Sequence, residues 1–232
     1  MTSNRDTLRE ELLDASLIID SQDLVAGYGH VSARIPGEHA MLMTPRRGPG
    51  LLTDIDEMVV VDFEGNLLEG EGPIALEAIM HGAIYAARAD VSAIVRTHSK
   101  YANILGILGK PARPVHGFGT FLGAEVPIFN SVLLITNADL ARQMVAVLGN
   151  AEGVLLRGNG DVVVGRSVPE ATVKAIFLEE SAELQYLAMC GGQPTYVSPE
   201  ELAIRREPGY DHYQRAWEYY RERLYAEDEF DE

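Results

Sequence analysis

The stretch EAIMHGAIYAARADVSAIVRTH, residues 77–98, decides the fold class. From Leu76 to Arg88 its apolar residues recur at a helical period, and Ser92–His98 is a compact run that reads as a strand. A helix passing within a few residues into a strand points to a mixed α/β core. Glu77 and His81 are four apart and share one helix face, while Arg96 and His98, two apart, project from one side of the strand. A carboxylate, a guanidinium and an imidazole are thereby brought toward one strand end. Spacing alone leaves two readings, a reactive cluster or an internal Glu77–Arg96 ion pair beside a structural histidine, and by itself favours the second.

Upstream of this stretch, Leu8, Leu12, Leu13, Leu17 and Ile18 predict an amphipathic opening helix over 6–20, with Asp6 or Thr7 as its cap. Between residues 27 and 72, Gly/Pro-rich turns separate short β-like runs such as MLMT and MVVVDF. Downstream, a helix is expected over Tyr101–Leu108 and a short strand over Val126–Phe129. A helix capped by Asn137 follows, then a hairpin (VLLR, GNGD, VVVG) and a long helix over Val168–Met189 with Pro in its first turn. No repeat and no long linker divides the chain, so helices and strands share one core over residues 1–195. Residues 196–232 form an acidic, aromatic helical tail carrying Tyr210, His212, Tyr213, Trp217, Tyr219 and Tyr220. That tail either covers a neighbouring subunit's site or docks on its own domain.

The chain has 232 residues and a formal charge of −16, and no Lys/Arg run exceeds two, so nucleic acid is a poor partner. No apolar stretch is long enough to span a membrane. The single cysteine, Cys190, excludes an intrachain disulfide framework. A cytoplasmic protein is the expectation.

GHVSARIPG (29–37), LMTP (42–45), residues 77–98, GAEVPIF (123–129) and VLLRGNGDVVVGRSVPEATVKAIFLEESAELQ (154–185) together resemble the class II aldolase/adducin family over most of residues 8–190. The resemblance implies a three-layer α/β/α domain around a mainly antiparallel sheet, and a homotetramer with sites at subunit interfaces. It also implies an acidic acid/base residue and three histidines holding a divalent metal that acts as Lewis acid. Glu77 takes the acid/base position and His98 that of the second histidine of H-x-H. Arg96 stands where the first histidine belongs, and Asn159 where the turn histidine belongs. Arginine offers no lone pair, so the family's metal site is weakened to Glu77, His98 and Asn159, with zinc, manganese or iron as the candidate ion.

The sugar-phosphate pocket is altered too. His30 replaces an Asn, Arg46 and Arg47 a Thr-Gly pair, and Ala75 and Leu76 two serines. The expected substrate is therefore a small non-phosphorylated carboxylate, bound by Arg46, Arg47, His30 and His116, with Glu77, Arg96 and His98 as the catalytic set. The function read from this is a lyase cleaving a C–C bond by decarboxylation or retro-aldol chemistry. The alternatives are an iron-dependent oxidative decarboxylase of an aryl 2-oxo acid and a non-catalytic, adducin-head-like protein. His39 is discounted as a turn residue and His81 as a packing residue.

Overall fold

The computed structural model describes residues 4–207 and 213–228. An eight-stranded sheet runs through the molecule: β1 His30–Arg34, β2 Ala40–Met43, β3 Val59–Asp62, β4 Leu67–Glu69, β5 Ala93–Thr97, β6 Ile128–Phe129, β7 Gly153–Leu156 and β8 Asp161–Gly165. The order is β4-β3-β2-β1-β5-β8-β7-β6. Every pairing is antiparallel except β6 with β7.

Both faces of the sheet are buried, which explains why its central strands read as continuous apolar runs. One face packs against α1 (Asn4–Ser21), α3 (Lys100–Ile107), α5 (Val168–Gly191) and α7 (Tyr213–Asp228). The other packs against α2 (Ala78–Ala87) and α4 (Ala138–Leu148). This is the expected three-layer α/β/α arrangement. Asn137 caps α4 by accepting from the Leu140 N–H, and Ser167 caps α5 by accepting from the Glu170 N–H, just ahead of Pro169.

One strand and two helix starts differ from expectation, the strand expected over Val126–Phe129 forming only over Ile128–Phe129. The opening helix starts at Asn4, upstream of the proposed caps. The second helix starts at Ala78, so Glu77 precedes it instead of lying within it. In the tail, α6 (Pro199–Arg205) leads toward α7, whose Trp217 is buried in the α1/α5 core. The Tyr225 hydroxyl donates to Asp14 at 2.5 Å, and Arg221 pairs with Asp14 at 3.0 Å. The described part of the tail thus docks on its own domain. Tyr210 and His212 lie outside the described residues. Among the described residues, no helix is long and apolar enough to cross a membrane.

Candidate active site

β1 and β5 lie side by side with His30 directly opposite Arg96. In such a pair the two side chains stand on one face of the sheet, here the face covered by α2. Ser32, two residues along β1, points the same way. Arg96 is only 1% exposed. Its Nε donates to Glu77 Oε2 at 3.2 Å, and its Nη1 donates to the Thr97 carbonyl and lies 3.2 Å from His98 Nδ1. Its Nη2 is buried without an acceptor. The second oxygen of Glu77 accepts the Ile135 N–H at 3.0 Å. Burial alone would push the Glu77 carboxyl up. The His30 contact, the Arg96 charge and the Ile135 N–H outweigh it and hold the group at about 2. Glu77 is thus a carboxylate at any working pH, suited to anchoring Arg96 or accepting a proton, and not to donating one.

Behind Glu77 runs a buried chain. Tyr85 OH meets Ser32 Oγ at 2.8 Å, Ser32 Oγ meets His81 Nδ1 at 2.7 Å, and His81 Nε2 meets His30 Nδ1 at 2.8 Å. His30 Nε2 then faces Glu77 Oε2 at 3.8 Å. One assignment satisfies every member: each group donates toward Glu77, with both imidazoles neutral. Burial pushes both histidines down in pKa, His81 strongly, and the Arg96 charge adds to this. The chain fixes the His30 ring so that its Nε2–H points at the carboxylate. His81, discounted from the sequence, is central to it. The available signal was the four-residue spacing of Glu77, His81 and Tyr85, a polar stripe on an otherwise apolar helix.

His98 sits half-buried at the strand end, its Nδ1 2.9 Å from the Tyr28 carbonyl. That contact is shorter than the one to Arg96, so Nδ1 carries the hydrogen and Nε2 keeps its lone pair. Burial and then the Arg96 charge lower its pKa, against the Tyr28 carbonyl and Asn159. Asn159 joins through the β7–β8 turn, where its Nδ2 is buried without an acceptor. Gly160, at φ +76°, follows it. A Cβ there would meet the Thr97 carbonyl oxygen and stand 2.8 Å from Arg96 Nη1, so only glycine lets this turn close on the guanidinium. Glu77, His30, Arg96, His98 and Asn159 therefore form one cluster.

The remaining candidates separate. Arg46 is exposed, and its backbone N–H bonds the Pro73 carbonyl, four residues before Glu77. Arg47, also exposed, pairs with Glu57 at 2.5 Å. His116 packs edge-on against Phe118, which stacks on Phe177 of α5. Among the described residues no contact joins it to the Arg96 cluster. A cleft of about 680 Å³ lies near the opposite end of β5 and β8, bounded by Val91, Gly165 and Lys174, away from this cluster.

Residues 10–186 match the family described as Class II Aldolase and Adducin N-terminal domain, and the chain belongs to it. It is 30% identical over 217 residues to a 3,4-dihydroxyphthalate decarboxylase of Terrabacter sp. (strain DBF63), covering 87% of this chain and 90% of that protein. Identity to the 3,4-dihydroxyphthalate decarboxylase of Arthrobacter keyseri is 32% over 199 residues, 79% of each chain. A solved L-fuculose 1-phosphate aldolase superposes with a TM-score of 0.80 at 25% identity, over 88% of this chain and 96% of that one.

Class II aldolases generally use a divalent metal, but the residues at this site do not fit one. A guanidinium fills the place of one imidazole, and the Glu77 carboxylate is committed to it and to Ile135. Among the described residues, no three His, Cys, Asp or Glu side chains are grouped to hold an ion. One imidazole and one amide remain, a weak donor set beside a fixed positive charge.

Proposed function

We propose that this chain is a decarboxylase acting on a small, non-phosphorylated aromatic carboxylate. The observation that carries the reading is the buried Arg96–Glu77 pair with an unsatisfied guanidinium N–H at the position of a lost metal ligand. A cation fixed by a carboxylate is preorganised to hold an anionic oxygen as charge shifts during C–C cleavage. The carbon–carboxylate bond breaks, its electron pair stays on carbon, and that carbon takes a proton. Net, carboxylate plus one proton gives CO2 and the protonated product. His98 takes a proton from solvent at its Nε2 lone pair and delivers it to that carbon, and Glu77 and His30 hold Arg96 in place. Arg46, exposed beside the segment leading to Glu77, meets a second carboxylate.

The aromatic substrate is supported by the side chains flanking the cluster. Tyr28 is 75% exposed with its ring 6.3 Å from that of His98, Leu76 is 52% exposed beside Glu77, and Leu134 is 49% exposed beside Ile135. Ala75 and Leu76 offer no hydroxyl to a phosphate. The named relatives favour decarboxylation over the oxidative and non-catalytic alternatives. The same exposed apolar side chains suit closure by another subunit, so a homotetramer belongs to this reading, as does a cytoplasmic setting for a chain with one free, exposed cysteine.

The test is CO2 release from hydroxylated benzoates and phthalates, beginning with 3,4-dihydroxyphthalate, in air and under argon. Turnover independent of dioxygen is expected. Full turnover in Arg96→Ala, or no CO2 from any of these acids, sinks the proposal.

A further inference from the structure

We infer that the substrate's anionic oxygen is held directly by two protein N–H donors, Arg96 Nη2 and Asn159 Nδ2, in place of the family's metal. The inference rests on the decarboxylase reading only for the identity of the oxygen, a carboxylate or phenolate. The binding claim stands on the geometry.

Three observations lead to it. First, among the described residues few buried side-chain nitrogens lack an acceptor, and two of them fall in this cluster. Burying an N–H without a partner is costly, and a guanidinium N–H especially so. The chain does not relieve that cost. Glu77 spends one oxygen on Nε and the other on Ile135, leaving nothing for Nη2.

Second, the two donors belong to adjacent groups. Gly160 packs on Arg96 Nη1, which puts Asn159, one residue earlier, beside the guanidinium, and His98 interacts with both. Third, the imidazoles around the guanidinium do not compete for Nη2, and Asp161, which feels the Arg96 charge, accepts the Thr97 hydroxyl at Oδ1. His30 and His81 are tied to each other, and His98 Nδ1 to the Tyr28 carbonyl. Two neighbouring groups with unsatisfied N–H donors, one of them charged, match the demand of a single anionic oxygen. A dication has no place there, because the guanidinium that supplies one donor would repel it.

The test uses the full-length protein, dialysed against a chelator, with phthalate and zinc as separate probes. Calorimetric titration should show phthalate binding with the same affinity before and after chelation, and no stoichiometric zinc uptake. Arg96→Gln should weaken phthalate at least tenfold, and Asn159→Leu several-fold. The double variant Arg96→His, Asn159→His restores three imidazoles and should take up zinc one to one. Phthalate binding that vanishes on chelation and returns with zinc overturns the inference, as does one-to-one zinc uptake by the unaltered protein. These arms need no variant to fold. Zinc-dependent CO2 release would sink this inference and leave the decarboxylase reading intact. Metal-independent phthalate binding without CO2 release from any acid would do the reverse.

Discussion

Replacing Arg96 by methionine keeps the apolar stem and removes the charge, leaving Glu77 buried against the Ile135 N–H and a neutral His30. The present environment holds the Glu77 carboxyl at about 2 instead of 4.5. At ~1.4 kcal/mol per pK unit, that preference for the ionised form is worth about 3 kcal/mol. That preference is shared among the His30 contact, the Arg96 charge and the Ile135 N–H, so the scale for losing Arg96 alone is that of breaking one side of a buried ion pair, about 3–5 kcal/mol. Urea unfolding at pH 7 should therefore show Arg96→Met destabilised by about 3 kcal/mol, with Tm lowered by roughly 6–12 °C for a chain of this size. Adding Glu77→Gln removes the stranded charge and should recover at least about 2 kcal/mol. The pH dependence has a definite sign. A carboxyl lowered on folding contributes stability above 4.5 that is lost as pH falls toward 2. In Arg96→Met burial drives that carboxyl up, so it protonates early, and the gap to the unaltered protein should narrow between pH 7 and pH 4. Additivity of the two substitutions within about 0.5 kcal/mol would refute the coupling, and with it the account of Glu77 as an anchored anion.

Three further outcomes follow from the same structure. Lys174 is buried between Glu170 at 2.6 Å and Glu152 at 2.7 Å; replaced by methionine, it leaves the buried Glu170 with only the exposed Arg166 at 2.8 Å, and unfolding should show a loss of about 2 kcal/mol at neutral pH. Gly160→Ala places a Cβ against the Thr97 carbonyl and Arg96 Nη1 at φ +76°, so thermal melting should fall and phthalate affinity with it, whereas Gly37→Ala, at φ +81° with open space around it, should leave phthalate affinity unchanged. His30 and His81 are held neutral, so the unfolded chain takes protons below pH 6.5 that the folded one refuses. Stability should fall with pH there by about 1.4 kcal/mol per unit for each histidine, and His81→Gln should flatten that slope.

Much of the fold was legible because its signals are local. The run SAIVRTH had to be a strand, Asn137 had to cap, and the Gly-Asn-Gly turn had to close a hairpin. The pairing of Glu77 with Arg96 was legible too, since helix and strand periodicities each aim one side chain at the same strand end. What escaped was set by strand register. Nothing in the sequence says that His30 stands opposite Arg96, and without that pairing His81 reads as a packing residue, not as the donor that orients His30. The ion pair of Arg47 escaped for a similar reason. Its partner Glu57 is ten residues away, and only the turn at Asp54–Glu57 brings that carboxylate back to it. His116 lands beside Phe118 and Phe177 because the segment after α3 crosses to the α5 face, a path that no periodicity encodes.

The exchange of an imidazole for a guanidinium changes which state of the substrate the site favours. A bound dication attracts any anion strongly, including the starting carboxylate. The Arg96–Glu77 pair carries no net charge, so its field is that of a dipole with its positive end at Nη2. At long range the carboxylate of Glu77 cancels most of the attraction, and a ground-state anion farther from Nη2 gains little. At hydrogen-bonding distance from Nη2 and Asn159 Nδ2 the cancellation fails, because an oxygen there is much closer to the donors than to the carboxylate. An oxygen that becomes more negative as the C–C bond breaks is thus stabilised more in the transition state than before it, which is the condition for accelerating the chemical step. The same logic assigns the neutral histidines their place. A protonated His30 beside Arg96 would spread the positive end of the dipole over the interior, and the Tyr85–Ser32–His81 chain prevents this by giving His30 a lone-pair acceptor role at Nδ1 that only the neutral ring can fill.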